Sequence, residues 1–405
     1  MSSLSGIDLF AGAGGLSLGL RQAGIDVRWA SDVDHDAVAT HRLAHPECRI
    51  FEEDVALLYE RVLSGGDGLP APGEVDLVAG GPPCQGFSGY NRHRRPSDPR
   101  NSLVEVFLDF VGYLRPRYVL MENVPGMLSL DSGNVAKRLL EVLASMDYTP
   151  RLGILQAGHY GLPQNRWRVF IMAAARGLPV PEFPAPTHQF PRTTIFGAKA
   201  FRSNVIRAPG ADASLYWRPQ PMVTVGDAIS DLPSIQNGDR VDESTYTRPA
   251  ASSFQALARD ASGVLFDHRC AKLGPIMFER CRAVPHRPGA GWLDLPPDLK
   301  PKNLVRHGDN RYENRFGRLH WAGTFNTILT KPEPYWGRVF HPDQDRVISV
   351  RESARAQGFP DRVRFVGELS SRYQQVGNAV PPPLARTIGL AIMEAAGCGI
   401  KAVSV

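Results

Sequence analysis

The sequence predicts an α/β protein, a doubly wound and mostly parallel sheet joined to a smaller loop-rich domain. Up to about Ala175, apolar runs of strand length alternate with amphipathic stretches of helix length, the pattern of repeated βαβ units. The period is then lost in the proline-dense PVPEFPAPTHQFP. It returns near RVISVRESARAQGFP, ahead of a C-terminal amphipathic stretch able to pack back on the first domain. With 405 residues, 43% hydrophobic and 21% charged, the chain has room for two domains and a sizeable core.

Taken in order, GIDLF reads as the first strand and GLSLGLRQAG as the helix that follows it. VRWAS is the second strand, DAVATHRLAHP the next helix, and EEDV closes a third strand. VDLVAGG is a buried strand, SLVEVFLDFVGYL a helix, YVLMENV a strand, AKRLLEVLASM a helix and RVFIMAAA a strand. Residues 1–187 are therefore expected to form one domain and 188–344 an irregular, proline-, arginine- and aromatic-rich second one. Residues 345–405 are expected to return to the first.

The formal net charge is +5 with a pI near 9.0, an excess of arginine that suits a polyanionic partner such as nucleic acid. The five cysteines are scattered without a CxxC pair or His/Cys cluster, so no structural metal and a reducing compartment are expected. The N-terminus has no leader pattern and no apolar run is long enough for a membrane span, which predicts a soluble, intracellular protein with no membrane partner.

Two turns carry candidate chemistry. The first strand runs into DLFAGAGGLSLGL, a glycine cluster that is not GxGxxG and lacks a phosphate-loop lysine. Such a turn fits S-adenosylmethionine better than a diphosphate cofactor, with Asp32 placed for ribose hydroxyls and Asp54 for an adenine amino group. The second turn is GGPPCQGFS, where glycines and prolines hold Cys84 at a strand end. Taken alone, that cysteine is either inert packing or a nucleophile.

The ordered set of the glycine turn, GGPPCQGFS, ENVPG, QNRWRVF and GNAVPPPLA resembles the 5-methylcytosine DNA methyltransferase family. PPCQGFSGYNR, NSLVEVFLDFVGYLRPRYVLMENV, LQAGHYGLPQNRWRV and RVISVRESARAQGFPD look especially like the catalytic region of the eukaryotic maintenance and chromomethylase branches. The resemblance implies a stand-alone DNA (cytosine-5-)-methyltransferase of the S-adenosylmethionine-dependent fold. It makes Cys84 the nucleophile on cytosine carbon-6 and Glu122 the contact to ring nitrogen 3 and the amino group. It also places Arg168 on the carbonyl oxygen and Arg166 on the catalytic loop and DNA backbone. If QNRWRVF is extended, Arg166 and Arg168 share a side.

Cofactor contacts are implied for Phe10, Ala11, Gly12, Gly14, Gly15, Leu16, Asp32, Val33, Asp54, Val55, Pro83, Asn378 and Val380. Double-stranded DNA is the implied partner, its target base flipped out to expose carbon-6. Gln85, Ser88, Arg92 and Gln164 are the expected DNA contacts near the catalytic loop, and Tyr335, Trp336 and Arg338 in KPEPYWGRVFHP the expected readers of a short, CG-containing target. A monomer is expected, in the cytoplasm or nucleoid of a bacterium or the nucleus of a eukaryote, with a cognate restriction endonuclease as a further partner. Two other readings are a transfer RNA cytosine-5 methyltransferase and an inactive DNA-binding relative. The first would carry CFT and PPCQPFT, neither of which occurs; the second would be expected to have lost Cys84, Glu122, Arg168 or the glycine turn.

Overall fold

The computed structural model describes residues 3–83, 103–191, 193, 195, 199–207, 218–307 and 312–398. Contacts divide the chain into two units: residues 1–160, 167–221 and 379–405 in the first, 161–166 and 222–378 in the second. The division departs from the sequence boundaries, because 188–221 goes with the first unit and 345–378 with the second.

The first unit is built on a seven-stranded sheet: β1 (Ser5–Leu9), β2 (Asp26–Asp32), β3 (Arg49–Glu52), β4 (Leu77–Gly80), β5 (Tyr118–Asn123), β6 (Tyr148–Gln156) and β7 (Trp167–Ala175). Their spatial order is β3-β2-β1-β4-β5-β7-β6. Neighbours from β3 to β5 run parallel, and β7 is antiparallel to both β5 and β6. β1, β4 and β5 are buried at every residue, as central strands covered on both faces must be. The covering helices are α1 (Gly15–Gln22), α2 (His35–Ala44), α3 (Val55–Ser64), α4 (Leu103–Leu114) and α5 (Asn134–Ser145). Leu58, Phe107, Phe110, Val111, Leu114 and Leu143 of these helices pack on Ile7, Val78, Val119 and Ile171 of the sheet.

Sequence reasoning passed over β6, which contains Pro150. Proline cannot donate to a ladder and is tolerated at sheet edges, and β6 is the edge strand. The C-terminal helix, Pro382–Ala395, lies against α1. A β-carbon on Gly19 would stand 2.4 Å from Ala385 Cβ and from Pro382 O, and one on Gly389 2.7 Å from Ala23 Cβ, so two glycines set this close crossing.

The second unit has little sheet among its described residues. Glu243–Thr245 pairs with Val264–Phe266, and Gly317–Arg318 with Arg338–Phe340. Phe316, Phe340, Trp292, Leu304, Cys281 and Val284 form its apolar core. Its irregular carbonyls are satisfied in good part by buried arginines. Arg318 donates to the carbonyls of Val284, His341 and Cys281; Arg346 grips Glu352 through two bonds of 2.8 and 2.7 Å; and Arg355 bridges Asp231 and Asp361. Several of the arginines that gave the sequence its basic character are thus internal, with Arg166, Arg318, Arg346, Arg351 and Arg355 fully buried.

Candidate active site

The order of strands reverses between β1 and β4, so the crevice that open α/β sheets offer to ligands lies at the carboxyl ends of these two strands. The glycine turn follows β1 there. Phe10, Gly12 and Gly14 all have positive φ (62°, 54° and 83°), and Gly14 N donates to Ala11 O at 2.9 Å. Among the described residues, nothing lies within 4 Å of where a β-carbon on Gly12 would stand, which leaves a cradle for a ligand that comes close to the backbone. Asp32, ending β2, accepts Gly12 N on Oδ2 at 2.7 Å and Asp34 N on Oδ1 at 2.9 Å. The carboxylate therefore fixes the turn, and burial raises its pKa above the usual value.

Val33 beside it is 72% exposed, an apolar surface suited to an aromatic ring. Gly15 and Leu16 are buried at the start of α1, Ala11 is buried, and Phe10 is partly buried against the core. Asp54 caps α3, accepting Ala56 N at 2.8 Å, and the Val55 side chain lies in the core. An open turn, an acid and an exposed apolar residue suit a nucleoside cofactor such as S-adenosylmethionine.

The same sheet edge carries the second group. Gly80 must be glycine, because a β-carbon would stand 2.5 Å from Leu9 O. Glu122 is next to last in β5 and Arg168 second in the reversed β7, so both lie at that end of the sheet. Arg168 Nε meets Glu122 Oε1 at 2.7 Å with both side chains 10% exposed, and Arg168 Nη1 donates to Trp167 O at 2.8 Å. Burial lowers the Arg168 pKa while the Glu122 charge opposes that. Glu122 Oε2 is 3.2 Å from where a β-carbon on Gly81 would stand, and Asn123 Nδ2 donates to Pro82 O at 3.3 Å. The start of the Gly81–Pro83 loop is thereby tied to β5. Cys84, Gln85, Ser88 and Arg92 lie outside the described residues.

Besides the expected target readers, Gln164, Arg166 and Asn378 belong to the second unit. Gln164 is not a surface contact for DNA. It is fully buried, donating to Ala356 O and Gln357 Oε1 and accepting Ile328 N, which uses both ends of its amide. Arg166 immediately precedes β7. Its guanidinium is buried and donates to Ile328 O and Gly377 O, both at 3.0 Å, which staples distant segments of the second unit. Asn378 is exposed at the end of helix Leu369–Asn378, whereas Val380 is buried in the first unit.

Of the expected readers, Tyr335 and Trp336 gather with Tyr312 around Arg315, whose guanidinium carbon lies 4.2, 5.5 and 3.9 Å from the three ring centres. Trp336 remains 37% exposed. Arg338 packs its stem against Gly317, and its Nε has no hydrogen-bond partner among the described residues. Sequence reasoning missed Asn123, although ENVPG contains it. It also missed a buried polar set beneath the glycine turn, Asp8, Ser17, His41 and His45, whose one signal is an aspartate inside the apolar strand GIDLF. The described residues contain no metal-binding cluster and no helix long and apolar enough to cross a membrane.

A mixed sheet whose one reversed strand is β7, with a glycine turn after β1 and an acid ending β2, defines a Rossmann-like, S-adenosylmethionine-dependent methyltransferase fold. The profile of C-5 cytosine-specific DNA methylases matches residues 4–394, and the chain belongs to that family. It is 38% identical over 483 aligned positions to DNA (cytosine-5)-methyltransferase 1 of Mus musculus, covering 99% of this chain and 29% of that protein. DNA (cytosine-5)-methyltransferase 1A of Oryza sativa is 37% identical over 440 positions, at 97% and 28% coverage. The chain thus spans less than a third of the length of these curated relatives. A solved structure described as a prophage-encoded DNA modification methyltransferase (E. coli) superposes with a TM-score of 0.68 at 25% identity, covering 98% of this chain and all of that one.

Proposed function

We propose that this chain is a DNA cytosine-5 methyltransferase that acts on a flipped-out cytosine in a short duplex sequence. The observation that carries the reading is the buried Glu122–Arg168 pair, set at the sheet edge directly beside the start of the Pro-Pro-Cys loop. Cytosine presents a carbonyl oxygen, a ring nitrogen and an amino group along one edge. An arginine and a carboxyl locked to each other offer the matching donor and acceptor without reorganisation. Cys84, as thiolate, forms a bond to carbon-6 and pushes electrons towards carbon-5 and ring nitrogen 3. Charge that develops on that edge is stabilised by Arg168 at the oxygen and by a proton at ring nitrogen 3, which Glu122 takes up from water when the base binds and donates in its protonated form. After methylation the carbon-5 proton leaves to a base, the sulfur–carbon-6 bond breaks and the thiolate is restored.

S-adenosylmethionine, when bound, supplies the electrophilic methyl group. The turn from Phe10 to Leu16 would hold it together with Asp32, Val33 and Asp54. Tyr335, Trp336 and Arg338 are the proposed target readers, and a cognate restriction endonuclease is the proposed partner whose cutting the mark would block.

The test is transfer of labelled methyl from S-adenosylmethionine to duplex DNA and, separately, to transfer RNA. 5-Methylcytosine in the DNA alone is expected. Labelled RNA with unlabelled DNA would overturn the substrate, and no transfer to either would overturn the activity.

A further inference from the structure

Behind the glycine turn runs a polar chain that the chemistry above does not use. Asp8, fully buried in the middle of β1, has Oδ2 2.6 Å from Ser17 Oγ on α1, and Ser17 Oγ is 3.2 Å from His41 Nε2 on α2. Asp8 Oδ1 and His41 Nδ1, the two ends of the chain, have no hydrogen-bond partner among the described residues. One helical turn further, His45 Nε2 lies 3.2 Å from Gly14 O, and the two imidazole rings are 4.7 Å apart. They form the seat of the turn: a β-carbon on Gly14 would stand 2.8 Å from His45 and 2.9 Å from His41.

We infer that Asp8, Ser17, His41 and His45 are positioning residues for the glycine turn, and that cofactor affinity is linked to the one proton this chain can take up. The inference rests on the reading that S-adenosylmethionine occupies the turn.

The chain has two hydrogen-bonded arrangements. In the first, ionised Asp8 accepts the Ser17 hydroxyl proton, and His41 Nε2–H donates to Ser17 Oγ. In the second, protonated Asp8 donates to Ser17 Oγ, the Ser17 hydroxyl donates to His41 Nε2, and the remaining imidazole proton sits on Nδ1. The second holds one proton more, and every bond in it is reversed. The imidazole is neutral in both, since burial pushes the His41 pKa down to about 3, with His45, Arg21 and Arg42 acting the same way.

A fully buried carboxylate with one oxygen unbonded is costly, which favours the protonated form. In agreement, burial pushes the Asp8 pKa up to about 7, with the Asp32 charge adding to it and Ser17 opposing it. The other ionisable neighbour is Cys48, whose thiol burial pushes up to about 12 and so keeps neutral. The exchange between arrangements therefore falls near neutral pH.

S-adenosylmethionine carries one net positive charge, and its demethylated product lacks the sulfonium. A cation beside the turn favours ionised Asp8, so the pKa of Asp8 is lower in the complex than in the free protein. Binding then releases a proton. Affinity is level above the free-protein value and falls as pH drops below it, by up to about tenfold per pH unit, with the same factor governing proton and cofactor.

Calorimetry of the full chain with S-adenosylmethionine and S-adenosylhomocysteine, from roughly pH 6 to 8 in two buffers of different ionisation heat, reads both affinity and proton release. The wild type should show the slope and a released proton, more strongly for S-adenosylmethionine. Asp8→Asn, which imitates the protonated donor, should be flat and weak. Infrared titration of the unliganded protein is the second readout: a protonated-carboxyl band should vanish near neutral pH and be absent from Asp8→Asn, while Ser17→Ala shifts its midpoint. A wild-type slope retained in Asp8→Asn would assign the proton to another group such as Asp32 and overturn the inference, as would absence of the infrared band. Failure of the wild type to bind either ligand at any pH, with the band present, would instead overturn the cofactor reading on which the linkage rests.

Discussion

Replacing Arg168 by methionine keeps the bulk of the side chain and removes its charge. At the observed 2.7 Å, Coulomb attraction at an effective dielectric of about 20 is about 6 kcal/mol, offset by a desolvation penalty of several kcal/mol for each ion. The net worth of the intact pair is therefore small, but breaking it is not. Arg168→Met leaves Glu122 buried without its cation and also loses the bond to Trp167 O, so unfolding stability should fall by about 3–5 kcal/mol. Glu122→Gln keeps an acceptor for Arg168, and the double variant Glu122→Gln/Arg168→Met leaves no ion behind. The double variant should be more stable than the sum of the single losses by about 1–3 kcal/mol. Urea unfolding with an unchanged slope measures this, alongside methyl transfer, which should be lost in Arg168→Met. A stability loss under about 1 kcal/mol, the scale of an exposed pair, or strict additivity of the two substitutions would refute the reasoning.

Cys84→Ala should abolish methyl transfer while S-adenosylmethionine binding by calorimetry survives, and duplexes with 5-fluorocytosine should trap only the wild type; turnover by the variant would remove Cys84 from the chemistry. Asp32→Ala should weaken cofactor binding by about 1–3 kcal/mol, because it also releases Gly12 N; unchanged affinity would place the cofactor elsewhere. Arg338→Ala should relax the methylated sequence by about 1–3 kcal/mol of discrimination, read by sequencing products from one mixed DNA pool. Uniformly slower methylation of an identical motif, with a shallower salt dependence, would make Arg338 a backbone contact.

What the sequence made legible was local in origin. The glycine turn and the Pro-Pro-Cys loop announce themselves because backbone conformation is written in adjacent residues, and the strand–helix alternation of the first unit survives in simple periodicity. The burial of Gln164 and Arg166 was not legible, because it is decided by partners 162 to 211 residues away, which no local pattern encodes. Composition likewise does not say which arginines face outward, since a buried guanidinium holding carbonyls and a surface one facing phosphate look alike in it. Ser17, His41 and His45 were invisible for a further reason: they become a group only when α1 and α2 pack on β1.

The glycine-set crossing of α1 with the C-terminal helix bears on how the molecule is made. Roughly 360 residues separate the two helices, so on a ribosome adding about 5–20 residues per second the apolar face of α1 waits some 20 to 70 seconds for its cover. Over that interval the segment that follows the glycine turn is an adhesive surface on a nascent chain. Expression should accordingly be limited by chaperone capacity and growth temperature more than by the stability of the finished protein. Moving the C-terminal helix to the front of the chain by circular permutation would let the two helices meet within moments of leaving the exit tunnel.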